Sequence, residues 1–290
     1  DYPLTFVEIY IFLEIKTVPQ RVEKTLEKAL EQRVIVTSNG FYALAGRGHL
    51  ATRRQQRFRA SQTLWPGAVY YGRWIASLPF VRLVAVTGSL AVDNPRDGVD
   101  DIDYLVVTRP GRLWLCRAAI ILMVRYGDLR GVHLCPNYLI TENVLDFDDD
   151  FFTAREMLQM KPLYGRDVYL EMRDRNAWVT RYFPHGTEPN LDRLDEDLSP
   201  VQATFKKVGE LTLGGPAGNL LEIALQKYQV TKHTRRAAQY GARDKVIFSA
   251  DVCKGHYDGY NNKTMAAYRQ RIQRYANGRL PAHNPNKPNP

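Results

Sequence analysis

The chain has 290 residues, 44% of them hydrophobic, so it is long enough for two or three compact units that each bury a core. Its formal charge of +9 permits a polyanionic partner without requiring one. Because Cys116, Cys135 and Cys253 follow no CxxC spacing, we expect neither a disulfide framework nor a zinc site, and we expect a cytoplasmic location. No apolar run is long enough to span a bilayer, so we expect no membrane partner.

Residues 1–50 contain the pattern helix, helix, hairpin. Helices are expected over Phe6–Ile15 and Arg21–Gln32, and two β-prone runs flank Asn39-Gly40, whose residue types suit the positive φ angles of a tight turn. This order resembles a winged-helix domain with Arg21–Gln32 as its recognition helix. Since three acids offset the three bases of that helix, docking of a protein is the alternative to binding of DNA.

Residues 51–78 are predicted to form a helical connector that is broken near Pro66. The connector carries several arginines, among them Arg53, Arg54 and Arg57. Guanidinium groups pair well with phosphate, so these arginines and the N-terminal region are the predicted contacts to DNA or RNA. A solvated helix face is the alternative.

Residues 79–177 alternate strand and helix patterns, which predicts an α+β fold with a small mixed sheet. Pro136 interrupts the last predicted strand and indicates a sheet edge or a bulge. The expected strands are Val81–Val86, Ile102–Val107 and Val132–Thr141, and the expected helices begin at Gly88, cover Leu113–Tyr126 with Gly127 as a stop, and cover Thr153–Met160.

Residues 178–279 are predicted to be mainly helical. Helical patterns occur at Val201–Glu210, Gly218–Thr231 and Lys263–Tyr275. Residues 280–290 are rich in proline and asparagine and poor in apolar side chains, which predicts a disordered tail.

Two aspartates stand at the entrance of the second predicted strand. Strand alternation places Asp101 and Asp103 on one face and Asp100 on the other. Adjacent carboxylates repel each other unless a cation lies between them, so the pair predicts a site for Mg²⁺ or Mn²⁺. Magnesium takes one or two protein carboxylates together with water and substrate phosphate.

Gly88-Ser89 follows the first predicted strand directly. Glycine allows a tight turn and a close approach to a ligand, and the amides that follow can donate to an anion. The pair is therefore predicted to bind phosphate.

The stretch "TGSLAVDNPRDGVDDIDYLVV" resembles the signature of the DNA polymerase β-like nucleotidyltransferase superfamily, and "RPGRLWLCRAAIILMVRYGDLRGVHLCPNYLI" further resembles a bacterial group of such proteins. The resemblance implies a nucleotidyltransferase that moves a nucleoside monophosphate from an NTP to an acceptor. Asp101 and Asp103 would be its catalytic metal ligands, and Gly88 and Ser89 would bind the nucleotide. Arg109, just past the strand, is interpreted either as a surface residue or as a clamp for the triphosphate.

Members of this superfamily usually carry a third carboxylate on a later strand, and "VHLCPNYLIT" contains none. Asn137 or His133 can stand near the metals instead, and Glu142 or Asp128 can reach in from a strand end. Without a base, the alternative is a weak or inactive nucleotidyltransferase fold that regulates by binding nucleic acid or sensing nucleotides. A further alternative is a toxin-like or antitoxin-like member that acts beside a partner protein.

Overall fold

The computed structural model describes residues 2–239, 247–255 and 260–276, and it shows a mixed fold of helices around a mixed sheet. The predicted tail lies outside the described residues. The helices are α1 (Phe6–Ile11), α2 (Pro19–Glu31), α3 (Leu50–Ala76), α4 (Gly88–Ala91), α5 (Leu113–Leu129), α6 (Phe151–Gln159), α7 (Arg166–Arg175), α8 (Val179–Tyr182), α9 (Pro200–Leu213), α10 (Pro216–Gln239) and α11 (Tyr260–Ala276). The strands are β1 (Ile35–Ser38), β2 (Phe41–Leu44), β3 (Val81–Val86), β4 (Ile102–Thr108), β5 (Leu134–Thr141), β6 (Lys161–Tyr164), β7 (Ile247–Phe248) and β8 (Val252–Lys254).

The main sheet has the strand order β6-β3-β4-β5-β8-β7. Strand β4 lies inside the sheet, antiparallel to β3 and parallel to β5, and the other pairs are antiparallel. The C-terminal end of β3 and the N-terminal ends of β4 and β5 therefore lie at the same end of the sheet. The small mixed sheet expected from the sequence is confirmed.

Strand alternation divides the core into two layers. On one face Val84, Tyr104 and Val106 pack with residues of α3 and α5. On the other face Leu105 and Val107 pack with residues of α6 and α7. Asp103 has the parity of Leu105 and Val107, so its side chain belongs to the face that α6 covers.

The two N-terminal helices and the hairpin are present as predicted. Asn39 and Gly40 have φ values of 53° and 78°, which are the positive angles that the turn requires. The assignment of this region to the winged-helix class stays a prediction.

Arg54, expected at a nucleic-acid surface, lies instead in the junction between α3 and the N-terminal region. It is buried, donates to Glu8 Oε1 at 2.5 Å and to the carbonyl of Pro3, and stacks over the rings of Tyr2 and Phe41. A buried and paired guanidinium contributes to packing and is not available to phosphate. The prediction that Arg54 contacts DNA or RNA is therefore wrong.

The predicted helix break near Pro66 is wrong, because α3 continues through the proline. Proline removes one helical hydrogen bond, but the flanking turns are held by tertiary contacts. The Tyr104 hydroxyl donates to the carbonyl of Ala68 at 2.7 Å, and Trp65 is buried. Packing thus overrides the local signal.

Gly127, expected as a helix stop, lies inside α5. A Cβ there would lie 2.7 Å from the carbonyl oxygen of Val132, so the chain entering β5 needs a glycine at this point. Pro136 does mark a bulge, since Asp103 pairs with Cys135 and Leu105 pairs with Tyr138. The alternative of a sheet edge is wrong, because β5 also pairs with β8.

The region after residue 178 is mainly helical in its described part, as expected, but it also completes the sheet through β7 and β8. The sequence also failed to predict β6, which pairs with β3 at the opposite side of the sheet. In the described ranges no helix combines the length and the apolar character that crossing a membrane requires.

Candidate functional site

The predicted site lies where β3 ends and β4 and β5 begin. The pairing of β3 with β4 extends one residue past the strand, because the Thr87 amide donates to the carbonyl of Asp103 at 2.9 Å. This bond fixes the start of α4, and hence Gly88 and Ser89, beside the first residues of β4. The sequence motif is thus brought together in space.

Gly88 lies directly against the Asp103 carboxylate. Its φ is +66°, and a Cβ at this position would lie 2.2 Å from Asp103 Oδ2. Two requirements therefore meet at this residue, the left-handed backbone and the space for an acidic side chain, and only glycine satisfies both. The sequence predicted that Gly88 comes close to a ligand, and in the structure Gly88 lies close to the carboxylate of Asp103.

Ser89 and Asp100 form a second contact across the same edge. The Ser89 hydroxyl donates to Asp100 Oδ2 at 3.3 Å, and the amide of Arg96 donates to the same oxygen at 2.9 Å. The prediction that Asp100 faces away from the motif is wrong, because β4 begins only at Ile102 and strand alternation does not apply before it. Asp101 is exposed and also precedes β4, so its place on the face of Asp103 stays a prediction. Asp100 holds the loop between α4 and β4 against Ser89.

The Asp103 carboxyl has an unusual electrostatic environment. Its pKa is raised to about 6, mainly by burial and also by the charges of Asp101, Asp100 and Glu156, while a hydrogen bond with Cys135 lowers it. The Cys135 thiol faces Asp103 across the β4–β5 register, and burial together with the Asp103 charge raises its own pKa, so it stays protonated at neutral pH. Asp103 is therefore a partly buried carboxylate surrounded mainly by negative charge.

Glu156 was not predicted at the site. It lies on α6, and Asp150 caps this helix by accepting from the Thr153 amide at 2.9 Å. Burial raises the pKa of Glu156, while the adjacent Arg155 lowers it through a contact of 3.4 Å. No sequence signal reveals Glu156, because its proximity to Asp103 depends on how α6 packs on the sheet.

The expected replacements for a third carboxylate are placed differently. Asn137 lies in the bulge of β5 next to the site, and its buried Oδ1 has no hydrogen-bond partner among the described residues. His133 and Asp128 lie at the same end of the sheet but are exposed and contact each other at 3.1 Å. Among these candidates, Asn137 alone presents an unsatisfied buried ligand atom.

Arg109 and Glu142 lie at the wrong end of the sheet. Arg109 follows Asp103 by six residues along β4, which corresponds to about 20 Å at the rise of an extended strand. The Glu142 amide donates to the carbonyl of Thr108 at 3.0 Å, and its carboxylate lies 4.0 Å from Arg82 Nε. The predictions of Arg109 as a triphosphate clamp and Glu142 as a third carboxylate are therefore wrong.

The two remaining arginines of the predicted nucleic-acid surface differ in their contacts. Arg53 is exposed on α3, whereas Arg57 donates to Asn94 Oδ1 at 2.5 Å, in the loop that follows α4. Asp93 of the same loop accepts from Ser61 and Trp65 of α3 at 2.7 and 3.2 Å. Helix α3 thus anchors the loop that carries the acidic site.

The residues present fit a divalent cation in part. Asp101 and Asp103 are carboxylates of the kind that magnesium commonly takes, and Asp103 Oδ2 fills the position that a Cβ of Gly88 would occupy. In the part of the chain that is described, no three His, Cys, Asp or Glu side chains are already arranged to hold a metal ion.

No protein-family model, curated protein or solved structure matches the chain.

Proposed function

We propose that the chain is a metal-dependent nucleotidyltransferase that moves a nucleoside monophosphate from an NTP to a hydroxyl or phosphate acceptor. The observation that carries the proposal is the contact between Gly88 and the Asp103 carboxylate, with Ser89 and Asp101 at the same edge. The raised pKa of Asp103, in a cluster with other acids, favours a functional site over a structural one.

Each residue has a distinct role in this proposal. Asp101 and Asp103 hold Mg²⁺ or Mn²⁺, which when bound stabilises the charge of the phosphates. The amides of Gly88 and Ser89, at the start of α4, have no helical acceptor and are free to donate to phosphate oxygens. Asp100 keeps the loop closed on Ser89, and Glu156 adds negative charge that strengthens cation binding.

One observation favours the alternative of a nucleotide-binding regulator with little or no turnover. The position of β5 opposite Asp103 holds Cys135, a protonated thiol, and Asn137 follows in the bulge. Neither group acts as a base near neutral pH. In this alternative the protein binds the metal–nucleotide complex without transferring the nucleotide.

The test is Mg²⁺-dependent binding and transfer. The full chain is incubated with each α-labelled NTP, Mg²⁺ or Mn²⁺, and total RNA and protein as acceptors. We expect transfer of label that the double variant Asp101→Asn/Asp103→Asn abolishes. Binding without transfer supports the regulator, whereas unchanged NTP affinity in the double variant contradicts both functions.

A matched control uses carboxylates at the other end of the sheet. Glu142→Gln changes a carboxylate that lies near Arg82 and far from Asp103. We expect this variant to keep the NTP affinity of the wild type. Loss of affinity in both variants would indicate a general effect of charge or folding.

A further inference from the structure

A cavity of about 430 Å³ opens between helices α3, α5 and α9, on the face of the sheet opposite to Asp103. All of the described side chains that line it are aromatic or aliphatic. We call this surface the aromatic groove, and it is formed by Tyr70, Tyr71, Trp74, Leu78, Leu122, Met123, Tyr126 and Phe205.

Several large side chains of the aromatic groove are exposed, although Tyr71 and Leu78 at its base are buried. Tyr70 is 53%, Leu122 65% and Phe205 50% exposed. The apolar surface continues along α9 through Val201 and Val208, which share one helix face with Phe205 and are 70% and 52% exposed. A contiguous apolar patch of this kind on a folded protein marks an interaction site.

The rim of the groove is positively charged. Arg125 on α5 and Arg130 directly after its last residue are both exposed, and neither forms a salt bridge with a carboxylate among the described residues. The Arg130 guanidinium lies 5.1 Å from the centroid of the Tyr126 ring, directly at the groove. The nearby acid Asp128 contacts His133 at 3.1 Å and forms no ion pair with either arginine in the part of the chain that is described.

We propose that the aromatic groove binds an amphipathic helix of a partner protein, with apolar anchors on one face and acidic residues beside them. Three anchors spaced by one helical turn would occupy the cavity, as in other complexes of a helix in a groove. The acidic residues would pair with Arg125 and Arg130. This partner surface is separate from the proposed transferase site.

Two other occupants fit the charges and the lining less well. A second copy of this chain would bring Arg125 and Arg130 toward their own counterparts, and each copy carries a net charge of +9. A single-stranded nucleic acid would find rings for stacking, but Leu78, Leu122 and Met123 supply no stacking surface, and the two arginines of the rim would pair with only two of its many phosphates. An acidic amphipathic helix satisfies both the lining and the rim.

The experiment compares two fluorescein-labelled peptides of about 18 residues, long enough to be helical. Both carry the same Leu and Phe anchors at helical spacing, and they differ only in having Glu or Lys beside the anchors. In fluorescence anisotropy with the full chain, we expect the acidic peptide to bind at least about tenfold more tightly. The ratio should shrink as salt is added, because exposed charges are screened.

Variants locate the binding site. We expect Leu122→Glu and Phe205→Glu each to weaken acidic-peptide binding about tenfold or more, and Arg130→Gln to reduce the preference for the acidic peptide. The control is Ile223→Glu, because Ile223 is 61% exposed on α10 and does not line the groove. Equal melting temperatures of the variants would show that folding is unchanged.

Three results would overturn the inference. The first is equal affinity for the two peptides, which would indicate nonspecific apolar contact. The second is a dimer of the full chain, measured by light scattering, that Phe205→Glu dissociates. The third is displacement of the acidic peptide by a short RNA in a manner that depends on Tyr126. Loss of NTP transfer in the proposed active site would affect none of these measurements.

Discussion

The two ends of strand β4 carry charge in opposite ways. At its beginning, the charges that most strongly influence Asp103 are carboxylates, and its one hydrogen-bond donor there is the Cys135 thiol. At its far end, Glu210 accepts from the Phe80 amide at 2.8 Å and from Arg82 at 2.7 Å. At the far end a cation of the chain pairs with Glu210, whereas the charges that act on Asp103 at the beginning are those of other acids.

The pKa values of the carboxylates express the same difference. Burial raises the pKa of Asp103 to about 6, while the hydrogen bonds from Arg82 and Phe80 hold the pKa of Glu210 below its usual range. A raised carboxyl pKa means that ionisation costs folding free energy, and a lowered one means that ionisation contributes stability. The two carboxylates thus affect stability with opposite signs, as four predictions can test.

The largest effect is expected for Gly88→Ala. The substitution places a Cβ 2.2 Å from Asp103 Oδ2 in a backbone with φ of +66°. The strain and the overpacking together should cost about 4 kcal/mol, measured by chemical denaturation. The matched control is Gly111→Ala, where φ is +71° but no atom lies within 4 Å of the added Cβ, and this variant should lose only about 1 kcal/mol. Equal losses would show that the carboxylate contact is unimportant.

Asp103→Asn should stabilise the protein in the absence of metal. A pKa raised from 3.8 to about 6 corresponds to about 3 kcal/mol of destabilisation once the group is ionised. Because the pKa in the folded state exceeds that in the unfolded state, this penalty is absent below pH 4 and develops as pH rises to about 6. The variant should therefore melt at a higher temperature at pH 7.

The pH dependence provides the control for this prediction. Stability curves of the wild type and Asp103→Asn should coincide below pH 4, separate between pH 4 and about 6, and stay a constant distance apart above that. Asp101→Asn changes an exposed side chain and should alter stability by less than about 0.5 kcal/mol. A destabilised Asp103→Asn variant at pH 7 would mean that the carboxylate is structural.

Glu210→Ala should destabilise the protein, and its effect on the free energy of unfolding should be smaller than the stabilisation by Asp103→Asn. It removes the acceptor of the Phe80 amide and the partner of Arg82, and we expect a loss of about 2 kcal/mol. Glu210→Gln keeps an acceptor for the amide and should lose less. A neutral effect of Glu210→Ala would remove the contrast between the two ends of β4.

The smallest effect is expected for Cys135→Ala. The thiol lowers the pKa of Asp103 through its hydrogen bond, so its removal should move the pKa of Asp103 to a value above about 6. A ¹³C NMR titration of the Asp103 carboxyl measures this shift, and the folding free energy should change by about 1 kcal/mol. Cys135→Ser retains a donor and should restore much of the shift.

The sequence predicted the local features of the site well because each depends on short-range chemistry. A glycine after an apolar strand, an adjacent serine and a pair of aspartates are visible in the letters, and the β3–β4 register brings them together. The hairpin turn at Asn39-Gly40 was predictable for the same reason, since residue type sets the permitted φ.

The predictions from the sequence were wrong or incomplete where a residue's position depends on which helices and strands pack together. Arg109 and Asp103 are six residues apart in the sequence, but the strand between them is extended and separates the two residues by about 20 Å. Glu156 lies more than fifty residues from Asp103 along the chain and reaches it only because α6 covers that face of the sheet. The sequence predicted Arg54 as a surface cation, but α3 packs against the N-terminal region and pairs Arg54 with Glu8.

By itself, the sequence determined the mixed α+β class, the positions of most strands and the carboxylates beside Gly88, because periodicity, turn chemistry and residue type act over a few residues. Only the tertiary structure decided that Asp103 is partly buried among other acids, that Arg109 lies at the far end of the sheet, and that an apolar groove stays exposed. Burial and charge pairing depend on contacts between distant segments, and these exist only once the chain has folded.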